Sequence, residues 1–318
     1  MILLLGATGY IGQAFQTELT RRGERFVALS RSEVDYTKFQ SLYDYLKSSR
    51  PSFIINAAGY TGKPNVDACE SAKADTLQGN TLFPQVLAHA CAALDIPFGH
   101  VSSGCIFSGA WVDYGNGWVV EKDMTKPEFR AIADTAPKKI RGFDETMVPN
   151  FSFRDEPCSF YSGTKALGEE AIQNVGQNYI WRLRIPFDEF DSPRNYLSKI
   201  QRYAKVYNNF NSLSHRGDFV KACLDCWSQK IPFGTYNITN PDFVSTKQVL
   251  EMIKGILKTD REFDFWQNDE EFYESGAVAP RSNCIMNSDK VINSGVELRP
   301  IKMALEDTLH QWKSKNLA

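Results

Sequence analysis

Three glycines near the start of the chain, Gly6, Gly9 and Gly12, constrain the fold more than any other feature of the sequence. They follow an apolar run at residues 1–5 that is typical of a buried strand. They precede residues 11–22, in which apolar residues recur at helical spacing. Between a strand and a helix, glycines at this spacing allow a tight turn, a close backbone approach to a diphosphate and a close helix–strand contact. The loop therefore predicts a parallel α/β sheet that binds a dinucleotide.

The rest of the first half continues this alternation of strands and helices. Strands are predicted at residues 26–29, 53–58, 98–101 and 179–185, and helices at residues 39–47, 72–94 and 161–174. Because crossovers between parallel strands are right-handed, this order predicts an α/β fold with a Rossmann-like, doubly wound parallel sheet.

The alternation is less regular after Pro186, where helices are predicted at residues 197–206, 219–229, 246–257 and 303–315. We predict a dinucleotide-binding domain over residues 1–185 and a smaller C-terminal substrate-binding lobe over residues 186–318, partly interleaved with the first. Residues 109–150 are rich in charge, glycine and proline. They are too long for an ordinary connection and are interpreted as a functional loop or an insertion.

The composition excludes several classes of protein. A net charge of -2 gives no basic surface for nucleic acid, and the four histidines show no metal-ligand spacing. No apolar run approaches the roughly 20 residues that span a membrane. Seven cysteines form no even disulfide framework and favour a reducing compartment. The sequence thus predicts a cytoplasmic protein without metal, membrane or nucleic-acid partners.

The cofactor loop comprises Gly6, Thr8, Gly9, Tyr10, Ile11 and Gly12. The second predicted strand ends in Ser30 and Arg31, which suit a 2′-phosphate, so NADPH is favoured as cofactor. The nearby Asp35 keeps NADH open, and Arg31 is alternatively an ordinary surface residue.

Tyr161 and Lys165 are spaced to share one helix face. A neighbouring cation lowers the pKa of a phenol from about 10, so the tyrosine would protonate a carbonyl oxygen as hydride arrives. Tyr43 and Lys47 have the same spacing but belong to an ordinary amphipathic helix. The pair at Tyr161 is preferred because a strand ending in Ser103 should bring a second hydroxyl to the same crevice.

Two other residues accompany this constellation. Asn80, in the helix after the third strand, would brace the site. Cys105 follows Ser103 by two residues; a buried packing role is the alternative for this thiol. Cys223 and Cys226 lie on one predicted helix and are interpreted as core residues.

Together these residues resemble the extended short-chain dehydrogenases/reductases, and within them the dTDP-4-dehydrorhamnose reductase branch. The likeness is closer still to the plant-type UDP-4-keto-6-deoxyglucose 3,5-epimerase/4-reductases. It is carried by Asn56-Ala57-Ala58-Gly59-x-Thr61-Gly62-Lys63-Pro64-Asn65-Val66-Asp67, Gly104-Cys105-Ile106-Phe107, Ser192-Pro193-Arg194-Asn195 and Ala279-Pro280-Arg281-Ser282-Asn283.

The resemblance implies a role for each matching position. Ser103, Tyr161 and Lys165 would reduce a 4-ketone, while Cys105 and Lys199 would shuttle protons at C3 and C5 of the sugar. Cofactor contacts would also come from Ala57, Ala58, Gly59 and Asn80. Substrate contacts would come from Thr61, Lys63, Asn65, Ser103, Cys105, Arg194, Asn195, Lys199 and Arg281. Lys199 is alternatively a solvated lysine.

The expected activity is NADPH-dependent reduction of a nucleoside-diphosphate 4-keto-6-deoxyhexose, coupled to 3,5-epimerisation, giving UDP-L-rhamnose or a related product. One alternative is a 4-reductase without epimerase activity. Another is a non-catalytic nucleotide-binding regulatory subunit on the same fold, like that of methionine adenosyltransferase. The resemblance also implies a possible homodimer, and the sequence leaves the nucleotide base open.

Overall fold

A computed structural model describes residues 1–313 and contains a central sheet of six parallel strands. The strand order is β2-β1-β3-β4-β5-β6. The strands are β1 (Ile2–Leu5), β2 (Phe26–Leu29), β3 (Phe53–Asn56), β4 (Phe98–Ser103), β5 (Asn178–Leu183) and β6 (Gly234–Asn237). The order reverses between β1 and β3, so the loops that follow these strands open on one crevice. The predicted Rossmann-like fold is confirmed.

Helices cover both faces of the sheet, so β1 is fully buried and apolar throughout. Its side chains alternate: Ile2 and Leu4 enter one core and Leu3 and Leu5 the other. The first core contains residues of α1 (Tyr10–Arg21) and α5 (Arg216–Ser228). The second contains residues of α2 (Phe39–Ser49), α3 (Phe83–Leu94) and α4 (Phe160–Ile172).

Two predicted helices need correction, and one strand was missed. The helix predicted at residues 72–94 is divided into Lys73–Leu77, a π-helical turn at Gln78–Leu82, and α3. The helix predicted at residues 197–206 ends at Ile200, because residues 205–206 instead pair as a short strand with Asp264–Phe265. Strand β6 was not predicted at all, and it completes the sheet beside β5.

The stretch at residues 109–150 is largely folded, which corrects the interpretation of a possible loop. Ala110–Asp113 pairs with both Trp118–Glu121 and Ile140–Arg141, and a helix spans Pro127–Thr135. This hairpin–helix addition has an apolar core that includes Val112 and Phe129. The same core takes in Phe210 and Ile285, so the addition is held against the second half of the chain.

The second half contributes a third core between helices Thr246–Leu257 and Ile301–His310. Its remaining elements are the helices Tyr196–Ile200, Asp269–Ser275 and Asp289–Asn293 and the short strands Pro186–Phe187, Phe210–Asn211, Ser214–His215 and Val244–Ser245. It also supplies β6 to the central sheet and α5 to one face of that sheet. The domain boundary at residue 185 stays a prediction. The helix predicted at residues 303–315 is found at Ile301–His310, so its predicted end is wrong for residues 311–313; residues 314 and 315 lie outside the described residues. Within residues 1–313, no helix combines the length and apolarity needed to cross a membrane.

Candidate active site

A cleft of about 650 Å³ opens at the ends of β1, β2 and β3. It is lined by Gly6, Ala7, Thr8, Gly9, Gln16, Ala28, Leu29, Ser30, Arg31, Tyr36, Thr37, Ala57, Ala58, Gly59, Tyr60, Asp75, Gln78, Gly79 and Phe83. Gly6 has a φ of 76°, and a Cβ on Gly12 would lie 2.0 Å from the Gly6 carbonyl oxygen. Side chains are thus excluded at both positions, and the cradle fits a dinucleotide diphosphate at the N-terminus of α1.

Ser30 and Arg31, which follow β2, also line this cleft. Asp35 is turned elsewhere, since its carboxylate accepts hydrogen bonds from Thr37 and pairs with Lys38 at 3.2 Å. Sequence reasoning missed Glu33, whose Oε2 accepts the Ser30 backbone N–H at 2.9 Å. The Glu33 carboxylate therefore already accepts the Ser30 N–H, a group that could otherwise donate to a 2′-phosphate.

Two predicted cofactor residues direct their side chains into the protein. The Tyr10 ring lies 4.4 Å from the Arg216 guanidinium, and Arg216 in turn pairs with Asp188 at 2.6 Å. Ile11 packs against the first core. Only the backbone at these two positions is available to a diphosphate.

Lys165 connects the cleft to the carboxyl end of the sheet. Its Nζ donates to the Val101 carbonyl oxygen at 3.3 Å, and a Cβ on Gly59 would lie 3.4 Å from that Nζ. Asn80 lies beside it in the π-helical turn and is fully buried, with its amide bonded to both backbone groups of Tyr60 at 2.9 Å. Asn80 thus fixes the loop after β3 against α4, the bracing role predicted for it.

Ser103, Cys105 and Tyr161 meet where β4 ends and α4 begins. Ser103 closes β4, and its hydroxyl accepts the Cys105 backbone N–H at 3.3 Å, which starts a single 3₁₀ turn. Ser159 caps α4 by accepting the Ser162 N–H at 3.1 Å. Burial raises the pKa of both Tyr161 and Cys105, and hydrogen bonding with Ser103, and for Cys105 also with Ser162, opposes that rise.

Burial is the main influence on the pKa values of Tyr161 and Lys165. It raises the pKa of the Tyr161 phenol well above its ordinary value, despite the opposing effects of Ser103 and Arg184. The net lowering expected from Lys165 is not found, because burial outweighs the opposing effects and Lys165 is not among their sources. Burial also lowers the pKa of Lys165, against the raising effects of Cys105 and Glu169. A neutral phenol in this position is a proton donor.

Cys105 is buried and its thiol pKa is raised by that burial. Four groups oppose the rise: Ser103, Ser162, Arg184 and Lys165. Since the two serines can donate to a thiolate and the other two groups are cations, these four groups offset part of the cost of burying negative charge on the sulfur.

Lys199 lies with two arginines at the edge of the site. Its pKa is lowered first by burial and then by Arg194 and Arg281. Arg194 donates to the Thr61 hydroxyl at 3.1 Å and to the Gly62 carbonyl, while Arg281 pairs with Asp67 at 2.6 Å. The structure thus brings Thr61, Arg194, Lys199 and Arg281 together into one cationic group.

Within residues 1–313, the side chains of three other predicted substrate residues form no hydrogen bond or ion pair with this group. Lys63 is exposed, and Asn65 uses its side chain to accept the Asp67 N–H at 2.8 Å. Asn195 is fully buried, caps the helix Tyr196–Ile200, and donates to the Asp188 carboxylate and two backbone carbonyls. In this structure its amide stabilises the lobe.

Sequence reasoning also missed residues around the site. Arg184 follows β5 and is 5% exposed, and Ser162 lies between Tyr161 and Lys165. The sequence could have indicated Arg184, because the stretch Trp181-Arg182-Leu183-Arg184 places two arginines in a strand predicted to be buried. Charged residues are rarely buried without a partner.

Comparison with known proteins identifies the family. A family model described as the RmlD substrate binding domain matches residues 1–142. The bifunctional dTDP-4-dehydrorhamnose 3,5-epimerase/dTDP-4-dehydrorhamnose reductase of Arabidopsis thaliana is 31% identical over 304 residues, which cover 95% of this chain and 90% of that protein. The chain belongs to the family of dTDP-4-dehydrorhamnose reductases and UDP-rhamnose synthases.

Longer members of this family extend well beyond the chain. A trifunctional UDP-glucose 4,6-dehydratase/UDP-4-keto-6-deoxy-D-glucose 3,5-epimerase/UDP-4-keto-L-rhamnose-reductase of Arabidopsis thaliana is also 31% identical over 95% of this chain. The chain spans only 41% of that relative's length.

Solved structures of the family share the fold. The UDP-rhamnose synthase of Acanthamoeba polyphaga mimivirus has a TM-score of 0.81 at 23% identity and covers 98% of both chains. A dTDP-4-dehydrorhamnose reductase of Bacillus anthracis, solved in complex with NADP, has a TM-score of 0.74 at 19% identity and covers 98% of this chain and 97% of its own.

Proposed function

We propose that this protein reduces the 4-ketone of a nucleoside-diphosphate 4-keto-6-deoxyhexose with NADPH and first inverts C3 and C5 of the same sugar, giving UDP-L-rhamnose or a related product. The observation that carries the proposal is the meeting of Ser103, Cys105 and Tyr161 at the end of β4, with Lys165 one helical turn beyond Tyr161. Its family relatives are named for this pair of activities, which supports the assignment.

The reduction follows from the protonation of the site. NADPH would supply hydride to C4 from the cleft beside Gly59. The neutral Tyr161 phenol gives its proton to the ketone oxygen, and Ser103 donates a hydrogen bond to the same oxygen. Lys165 lies within reach of the cleft and compensates the charge left on the phenol.

The epimerisation uses the same carbonyl. Protons at C3 and C5 are acidic because each carbon adjoins the C4 ketone, and polarisation of that ketone by Ser103 and Tyr161 stabilises the enolate. Cys105 takes or returns a proton on one face of the ring. Lys199, whose lowered pKa makes the neutral amine more accessible, serves the other face.

NADPH is preferred to NADH because Ser30 and Arg31 line the ribose end of the cleft while Asp35 faces Thr37 and Lys38. The NADP in the related reductase structure agrees with this choice. The cationic group of Arg194, Lys199 and Arg281 suits the diphosphate of the sugar nucleotide. The base is assigned as uracil from the relatives alone.

The test is turnover of UDP-4-keto-6-deoxyglucose with NADPH in deuterated water, followed by mass spectrometry of the product. We expect rhamnose labelled at C3 and C5. The Cys105→Ala variant should lose this exchange yet still reduce a substrate that is already epimerised, whereas Tyr161→Phe should lose reduction.

Two alternatives give different results. A 4-reductase without epimerase activity would reduce only the pre-epimerised sugar, and Cys105→Ala would change nothing. A nucleotide-binding regulatory protein would bind NADPH without oxidising it in the presence of any UDP-, dTDP- or GDP-linked ketosugar.

A further inference from the structure

Arg184 is a buried cation without a carboxylate partner. It is 5% exposed, and within residues 1–313 no ion pair involves it. Its Nη2 donates to the Asn211 Oδ1 at 2.6 Å and to the Ser282 carbonyl oxygen, and its Nε has no hydrogen-bond partner among the same residues. Such an arrangement costs stability, so its retention needs a reason.

A neighbouring arginine, which lies on β5 itself, shows the ordinary solution. Arg182 is equally buried, but it forms a bidentate pair with Glu169, with N–O distances of 2.7 and 3.0 Å to one carboxylate oxygen. Arg184 has only neutral acceptors. Its positive charge is therefore uncompensated in the resting site.

The contacts of Arg184 connect it through two residues to the backbone beside Cys105. Asn211, which holds its Nη2, also accepts the Cys284 backbone N–H at 3.1 Å, and the Cys284 thiol donates to the Gly104 carbonyl at 3.3 Å. Gly104 immediately precedes Cys105. Arg184 is also among the groups that lower the pKa of both Cys105 and Tyr161.

We propose that Arg184 is a positioning residue that supplies the counter-charge for the thiolate of Cys105. The inference rests on the proposed epimerase function. When the thiol ionises, its proton leaves to solvent or a neighbouring base, and the electron pair stays on sulfur beside the unpaired guanidinium. The thiolate then takes a proton from C3 or C5, leaving that C–H electron pair in the enolate. Lys199 delivers a proton to the opposite face, which completes the inversion, and the thiol gives up its proton before the next turnover.

Other titratable groups also face Cys105 and set its ionisation. They are Tyr161 and Lys165 on α4, Cys69 on the helix Ala68–Ser71, Cys158 in the loop before α4, and Cys284, which pairs with Gly109 in an isolated bridge. Of these only Lys165 is a cation, and it faces the cofactor cleft. Arg184 is the other cation near Cys105, and its acceptor Ser282 directly follows Arg281 of the cationic group.

The experiment measures the rate of Cys105 alkylation by iodoacetamide from pH 7 to pH 10, with the modified peptide quantified by mass spectrometry. Only the thiolate attacks, forming an S–C bond and releasing iodide, so the rate follows ionisation. Arg184→Met should slow alkylation at pH 8 by about tenfold relative to the plateau at high pH. Arg184→Lys, which keeps the charge, should stay within about threefold of the wild type.

A second variant tests the idea if Arg184→Met does not fold. Asn211→Asp pairs the guanidinium with a carboxylate and should slow alkylation by a similar factor. Arg130→Met is the matched control, since Arg130 also has only carbonyl acceptors but lies in the hairpin–helix addition, and it should leave the profile unchanged.

The outcomes separate this inference from the proposed function. An unchanged profile in Arg184→Met, or equal slowing by Arg184→Lys and Arg184→Met, would overturn the role of the charge. If Arg184→Met does not fold, an unchanged profile in Asn211→Asp overturns it as well. No nucleotide sugar is present in this assay, so failure of ketosugar turnover leaves the result intact and counts only against the proposed function.

Discussion

The buried ion pair between Glu169 and Arg182 gives a sharp prediction for stability. Both side chains are no more than 7% exposed, and the Ser102 hydroxyl donates to the same carboxylate at 2.5 Å. Glu169→Gln keeps the size of the side chain but leaves Arg182 charged and unpaired in the core. Removing one partner of such a pair costs about 3–5 kcal/mol.

Thermal denaturation followed by circular dichroism measures this loss. For a chain of this size each kcal/mol lowers Tm by roughly 2 °C, so Glu169→Gln should lower it by roughly 6 °C or more. The adjacent Glu170 provides the control, because it pairs with Arg154 on the surface, where the Arg154 side chain is 76% exposed. Glu170→Gln should cost less than about 1 kcal/mol.

The double variant Glu169→Gln/Arg182→Met tests the cause. Removing both charges leaves no buried unpaired ion, so much of the lost stability should return. Equal losses in Glu169→Gln and Glu170→Gln would refute the reasoning, as would a double variant no more stable than Glu169→Gln.

Three further predictions concern the cofactor cleft and acid stability. Gly12→Ala places a methyl group 2.0 Å from the Gly6 carbonyl and should abolish NADPH binding measured by fluorescence titration, whereas Gly9→Ala, with its nearest contact at 3.3 Å, should weaken it less. Glu33→Gln should raise the preference for NADPH over NADH, measured as the ratio of their KM values, several-fold, because it removes the negative charge beside the Ser30 N–H. An unchanged KM ratio would mean that the 2′-phosphate binds elsewhere. Burial alone would raise the pKa of Asp218, but hydrogen bonds from His215 and Arg299 lower it to about 2. The roughly 2 kcal/mol that the charged carboxylate contributes should therefore be present above about pH 4 and disappear between about pH 4 and 2, so Asp218→Asn and the wild type should converge in acid unfolding over that window.

Most of the sheet could be predicted because its signals are local. The run at residues 1–5 is apolar on both faces and meets a glycine loop, and the helix at Thr246–Leu257 has the predicted bounds. Strand β6 escaped prediction because its four residues, Gly-Thr-Tyr-Asn, carry little strand pattern. It forms through pairing with β5, a contact between residues more than 50 positions apart.

The residues of the site also fall into those that the sequence predicts and those that it does not. Ser103, Tyr161 and Lys165 follow from spacing and strand order, and Cys105 from the resemblance. The raised pKa of Tyr161 could not be predicted, because the pairing rule for Lys165 contains no measure of burial. Arg184 was also missed, since its importance lies in the absence of a carboxylate partner, which only coordinates can reveal.

Because β6 lies far from β5 in the sequence, the cofactor-binding part of the chain cannot be separated at residue 185. Residues 1–185 contain the dinucleotide cleft but not β6 or α5, which cover the buried Tyr179 and Trp181 of β5 and the Phe15 of α1. A fragment that ended there would leave an unpaired strand edge and a large aromatic surface in water, which is a template for aggregation. The smallest fragment expected to fold on its own with the cofactor cleft is therefore longer than residues 1–185.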